Sequence, residues 1–133
     1  MTALDQAQFA YDTGRFYQTV ARQIGDFLHD NIKELSDRQL SILSDDQTRL
    51  ISYSNTFFSL TEDITFDGAA PYFRSVTNAT KQITDAIDHI QKVSDIISIS
   101  AGVIGVAAGI LSQNGPLIAS SLAAVLTTIM PDK

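Results

Sequence analysis

The spacing of apolar positions predicts helices along almost the whole chain. Tyr17, Val20, Ile24, Phe27, Leu28, Ile32 and Leu35 recur at intervals of three and four, which gathers them on one face of a helix. Thr2 with Asp5 supplies a start for that helix, and Gly14 or Gly25 a place to bend it. A short echo follows, Leu35-Ser36-Asp37-Arg38-Gln39 and then Leu43-Ser44-Asp45-Asp46-Gln47. Each copy has the serine-x-x-glutamine spacing of a capping box, whose side chains satisfy the free amide hydrogens of a helix start. One copy opens a helix and the other lies within it. Leu50, Ile51, Ser54, Phe57 and Phe58 then carry an apolar face to about Leu60. Thr65 to Pro71 reads as a loop, with Pro71 opening the next helix.

The pattern is most regular beyond that loop. Val76, Ile83, Ile90, Ile97, Ile104 and Leu111 are seven apart at every step, and Thr80, Ile87, Ser94, Ala101 and Ala108 follow at four. A coiled-coil-like seam of this kind predicts one continuous third helix of about 40 residues, about 60 Å long. Its first half is amphipathic, with Lys81, Asp85, Asp88 and Lys92 available to water. The second half keeps the phase and loses the polar face.

Charge sharpens the division. The chain carries 9 Lys and Arg against 15 Asp and Glu, a net charge of −6, and beyond Asp95 only Asp132 and Lys133 are charged. Residues 96–131 are therefore 36 consecutive positions without an ionisable side chain. They are interrupted at Asn114-Gly115-Pro116, where glycine suits a left-handed helix stop and proline the first turn of the next helix. The segment reads as a helical hairpin with arms from Ile96 to Gln113 and Leu117 to Met130. Ala101, Gly105 and Gly109 lie four apart with Gly102 and Ala108 alongside, a spacing that lets a second helix approach closely. In the second arm Ile118, Leu122, Val125, Leu126 and Ile129 form one face. Ser120, Ser121, Thr127 and Thr128 lie elsewhere on it, as hydroxyls able to bond back to helix carbonyls.

These readings give an all-α fold in a single domain, residues 1–133. The expected architecture is an antiparallel bundle of about four helices with one long third helix and a C-terminal apolar hairpin. Residues 1–95 supply the amphipathic helices and 96–131 the uncharged hairpin. Each helix of a lone bundle should show water a polar stripe, so a bundle this small is not expected to hide Ile96 to Met130 unaided. Coverage of that stretch by the protomer's own first two helices would remove the ground for a lipid or an assembly role.

Permanent membrane anchoring fits the hairpin poorly. Arms of about 18 and 14 residues span roughly 27 and 21 Å, against a hydrocarbon core of about 30 Å. Eight large aliphatics in the first arm gain at most about 4 kcal/mol on insertion scales. No aromatic residue follows Phe73 to sit at a membrane interface. A marginal gain suits a hairpin that stays folded in water and inserts conditionally. In plan the chain resembles helical pore-forming toxins, which keep an apolar hairpin buried before insertion. That resemblance covers about residues 71–131 and lies in helix arrangement and segment polarity, without a shared motif. On this reading Ala101, Gly102, Gly105 and Gly109 serve packing and Asn114, Gly115 and Pro116 form the tip. Ile104, Leu111, Leu122 and Leu126 supply the inserting surface, and membrane lipid is the partner. The alternative is a soluble interaction module that buries the hairpin against a second copy or a helical protein partner.

Other chemistry is sparse. The acidic balance argues against nucleic-acid binding, which needs a concentrated basic face. With no cysteine there is no disulfide framework. Asp85 and His89, four apart, read as an exposed salt-linked pair, and His29 lies between Asp26 and Asp30 without a third ligand pattern. Asp63-x-Thr65-x-Asp67-Gly68 imitates half a calcium loop but places Pro71 at the ninth position and Arg74 at the twelfth, where glutamate is needed. Asn78-Ala79-Thr80 matches a glycosylation acceptor within the expected third helix. No phosphate-binding glycine loop or nucleophile elbow occurs. The expectation is a protein without enzymatic activity, catalytic residues, cofactor or metal. The N-terminus lacks the basic start and apolar run of a signal peptide, which implies a cytoplasmic protein or one released by another route.

Overall fold

The computed structural model describes residues 3–60 and 69–129. Thr2 and the segment Asp63 to Gly68, with its calcium-like spacing, fall outside the described residues. The regular elements are α1 (Ala3–Asn31), α2 (Asp37–Ser59), α3 (Phe73–Ile87), α4 (Val93–Leu111) and α5 (Gly115–Ile129), with 3-10 turns at Ile32–Glu34 and Ala70–Tyr72. The fold is all-α.

α1 and α2 run in opposite directions against each other. From α1 the chain buries Phe9, Ala10, Phe16, Tyr17, Val20, Ala21, Ile24 and Leu28, and from α2 Leu43, Leu50 and Phe57. Ile32, at the end of the expected stripe, is 54% exposed because α1 stops at Asn31 and a 3-10 turn carries the chain around. The capping box belongs to Ser36: its Oγ accepts from the Gln39 amide at 3.1 Å while Gln39 Oε1 accepts from the Ser36 amide at 3.0 Å. Ser44 and Gln47 lie inside α2, where Gln47 Nε2 donates to the Ala21 carbonyl at 3.1 Å. Gly14 and Gly25 are points of close contact within a continuous α1. A β-carbon on Gly14 would stand 2.8 Å from the Phe58 ring, and one on Gly25 would stand 2.5 Å from Gln47 Nε2. Ser54 Oγ adds a 2.8 Å bond to the Gly14 carbonyl.

Pro71 sits in the 3-10 turn that leads directly into α3, two residues before the helix itself begins at Phe73. Phe9 and Phe73 stack with ring centroids 3.7 Å apart, fixing the start of α3 against α1. The expected 40-residue helix is divided: α3 ends at Ile87 and α4 begins at Val93. Two contacts to α1 close off the end of α3. Gln23 is buried, and its Nε2 donates to the Thr84 carbonyl at 2.8 Å and to Asp88 Oδ1 at 3.0 Å. His89 and Ile90 then bond back by three residues, and Lys92 adopts extended backbone at φ −82°, ψ 126°. The break changes the phase. α3 buries Val76, Ile83 and Ile87 as expected, whereas α4 buries Ile96, Ile99, Val103, Val106 and Ile110. Ile97, Ile104 and Leu111, the predicted seam, are half-buried at its edge. His89 lies beyond the end of α3, so the helical geometry expected for an Asp85–His89 pair does not apply.

A single chain buries part of the hairpin's large aliphatics and leaves Ile97, Ile104, Leu111, Leu117, Leu126 and Ile129 half-buried, in keeping with the expectation that so small a bundle does not hide them all. Ile96, Ile99, Val103, Val106, Ile110, Ile118, Leu122 and Val125 are all buried. α2 packs on α4, α5 packs on α4 and on α3, and α1 reaches α4 through Tyr17. The first two helices supply part of that cover, and α3 and the arms themselves supply the rest. Small side chains make this possible: water meets Ser98, Ala101, Ala119, Ser120, Ala123, Ala124 and Thr127, none of which needs hiding.

Candidate functional site: the uncharged hairpin

α4 and α5 meet along a ridge of glycines. A β-carbon on Gly102 would run into Val125 Cγ2, and one on Gly105 into Ser121 Oγ. At Gly109 it would stand 2.7 Å from Ile118 Cγ1 and 3.0 Å from the Ile118 amide nitrogen. The three pairs, 102 with 125, 105 with 121 and 109 with 118, describe an antiparallel contact close enough to press side chains onto backbone.

The turn between the arms is built differently from the expected glycine stop. The left-handed residue is Gln113, at φ 54°. The Asn114 amide bonds to the Gly109 carbonyl at 2.8 Å and the Gln113 amide to Ile110 at 3.1 Å, the paired bonds of a Schellman ending. Asn114 then caps α5, its Oδ1 accepting from the Leu117 amide at 3.1 Å. Gly115 is the first residue of α5, and what it provides is space: a β-carbon would stand 2.5 Å from the Tyr72 ring. Pro116 follows, exposed, in the first turn of the helix.

The residues expected to act together divide into three groups. Gly102, Gly105 and Gly109 face α5, and Leu122 is buried with them. Ile104, Leu111 and Leu126 are half-buried along the margins, packed against the core. Ala101 faces water, as do Asn114 and Pro116 at the tip.

Two polar tethers to the rest of the protein carry no motif of their own. Tyr17, wholly buried, donates its hydroxyl to the Val103 carbonyl at 2.7 Å. Burial, and then the neighbouring Tyr53 hydroxyl, push the Tyr17 phenol well above its ordinary value, against a smaller opposing effect of backbone hydrogen bonding at Ala107. Phe57 stacks on its ring at 5.6 Å and Phe16 meets it edge-on at 5.1 Å. The second tether is Ser100, buried in α4, whose hydroxyl lies 2.7 Å from Asp46 Oδ2 on α2. Serine within an apolar helix and aspartate inside α2 are the only traces of this contact in the sequence.

α4 is long and apolar enough to cross a membrane by length and composition, with mean hydropathy 1.9 over its best window, half of it buried in the fold. α5 is apolar but shorter, at 15 residues. Among the described residues no three His, Cys, Asp or Glu side chains gather as metal ligands would. No family model, curated protein or solved structure matches the chain.

Proposed function

We propose that the chain is a non-enzymatic helical-bundle protein whose C-terminal hairpin is withheld by α1–α3 and released for conditional, pore-type association with a membrane. One observation carries this reading: ionisable groups are missing from the exposed positions of the hairpin as well as from the buried ones. A hairpin that only filled a soluble core would tolerate Lys or Glu at Ser98, Ala101, Ser112, Ser120 or Thr127, all of which face water. A hairpin that enters lipid loses water on every side, tip included, so charge is costly throughout. The link from Asp88 to Lys92 favours release as a unit, since it joins the hairpin to α3 without continuous helix. The resting fold buries Ile96, Ile99, Val103, Val106, Ile110, Ile118, Leu122 and Val125, which keeps much of the apolar surface from water before insertion.

A second reading rests on the size of the exposed residues. Ala119, Ser120, Ala123, Ala124 and Thr127 present a small-residue face that packs well against another helix. On that reading the protein is a soluble module joining a second copy or a helical partner.

Flotation with liposomes and release of an entrapped dye test the first reading, and detergent-free sedimentation tests the second. Co-flotation with leakage is the expected outcome. A protein that neither floats nor leaks dye at any pH or lipid ratio, and sediments as an oligomer, supports the module instead.

A further inference from the structure

A different surface carries a docking site. Tyr11 and Ile51, 46% and 47% exposed, are two of the three large hydrophobic side chains most open to water among the described residues, and both border the seam between α1 and α2. Tyr11 leans on the half-buried Phe58 ring at 5.6 Å, and Phe58 lies two helical turns beyond Ile51 on α2. On α1, Tyr11, Arg15, Gln18 and Arg22 follow at four, three and four, so they share one face. Between these ridges runs an open groove of about 270 Å³ lined by Gln18, Arg22, Gln47, Ile51 and Asn55 over a floor of Ala21 and Ser54. Arg22 is the one charged residue among those lining it. The Arg15 guanidinium lies 6.0 Å from the centre of the Tyr11 ring. Arg22 approaches Asp26 only at 3.9 Å, with both side chains more than two-thirds exposed, a pairing too weak to hold it.

We propose that this groove docks a helical segment of a partner protein that carries carboxylates along one edge beside aliphatic side chains. Charge complementarity selects that occupant. Arg22 lines the groove. Arg15, seven residues and about 10.5 Å away along the same face, stands outside its lining and also borders the cleft between α1 and α3 with Asp12 and Lys81. A docked helix therefore meets Arg22 with one carboxylate and reaches Arg15 past the groove's end with a second at the same spacing. Aliphatic side chains between those carboxylates reach Ile51 and Tyr11. A basic segment is repelled by the arginines. A duplex or an anionic bilayer is broad enough to meet the rest of a protein of net charge −6, which repels it, whereas a single helix touches the groove alone.

The test titrates the full-length protein into two labelled, helix-stapled peptides with the same leucine face, one carrying glutamates seven apart and the other glutamines there. The glutamate peptide is expected to bind about tenfold more tightly, with an affinity that falls as salt rises. Arg22→Glu should abolish that preference and Ile51→Ser should weaken both peptides, each variant keeping the wild-type circular dichroism because both side chains are exposed. Equal binding of the two peptides, no saturable binding of either, or an unchanged preference in Arg22→Glu overturns the proposal. So does binding to duplex DNA or anionic liposomes that Arg22→Glu removes, which assigns the groove to a polyanion.

Discussion

Replacing each glycine of the hairpin ridge by alanine separates close backbone packing from mere absence of a side chain. Alanine in a helix interior is favoured over glycine by about 1 kcal/mol, so each substitution starts with that gain. Against it stands the collision of the new methyl group. At Gly105 the nearest atom is Ser121 Oγ, the end of a side chain that can rotate, with Ser121 Cβ next at 3.1 Å. The net effect should lie between no change and about 1 kcal/mol of stabilisation. At Gly109 the methyl meets Ile118 Cγ1 at 2.7 Å, its amide nitrogen at 3.0 Å and its Cα at 3.3 Å, so the helices must separate. Overpacking of this kind costs about 1–3 kcal/mol, which leaves Gly109→Ala destabilised by up to about 2 kcal/mol. Gly102→Ala should lose as well, because its neighbour Val125 is β-branched and holds one rotamer in a helix. Urea unfolding followed by circular dichroism gives the three values. The reasoning fails if Gly105→Ala is the most damaging of the three, or if Gly109→Ala stabilises the protein.

Tyr17→Phe removes the 2.7 Å bond to Val103 without leaving a cavity and should cost about 1 kcal/mol at neutral pH, read from the urea midpoint. The unfolded phenol ionises near 10.0, while the buried one keeps its proton to a higher pH. Wild-type stability should therefore hold up to about pH 9 and fall above pH 10 by about 1.4 kcal/mol per pH unit. Tyr17→Phe removes that contribution; equal alkaline slopes in the two proteins would contradict it. Ser36→Ala breaks the capping box and should destabilise by about 1 kcal/mol, whereas Ser44→Ala, inside α2, should be neutral or slightly stabilising in the same assay. Gly115→Ala drives a methyl into the Tyr72 ring and should lower stability by about 1–3 kcal/mol; a raised melting temperature would show that the glycine is not needed there.

What the sequence made readable was local. The capping box at Ser36, the turn near Asn114 and the close-packing glycines each follow from backbone geometry within a few residues. The end of α3 was not readable, because Asp88 to Lys92 contains neither glycine nor proline. The helix stops there as Gln23, some 60 positions earlier, takes up the Thr84 carbonyl and the Asp88 carboxylate. The seven-residue spacing ran through the break by coincidence of composition, since α4 is apolar on several faces and offers Ile96 and Ile97, or Val103 and Ile104, as equal candidates for the core. Only packing against α2 and α5 chooses between them. Gly115 was read as the left-handed stop of the first arm, but Gln113 takes that conformation, and Gly115, the first residue of α5, makes room for Tyr72. Tyr17 counted as one more apolar position on α1, and its hydrogen bond to a residue 86 positions away has no local signature.

The central claim is that the uncharged hairpin is held in water and moves into lipid when α1–α3 release it. The chain has no cysteine and no tryptophan, so a single cysteine at Ser120, exposed on α5, can carry an environment-sensitive fluorophore without competing signal. Liposomes made with chain-brominated lipid supply the quencher, and iodide in the buffer reports exposure to water. The account predicts iodide quenching before membranes are added, and afterwards a blue shift, quenching by the brominated chains and protection from iodide. A fluorophore that stays open to iodide and untouched by the brominated chains, with liposomes present across acidic and neutral pH, contradicts it.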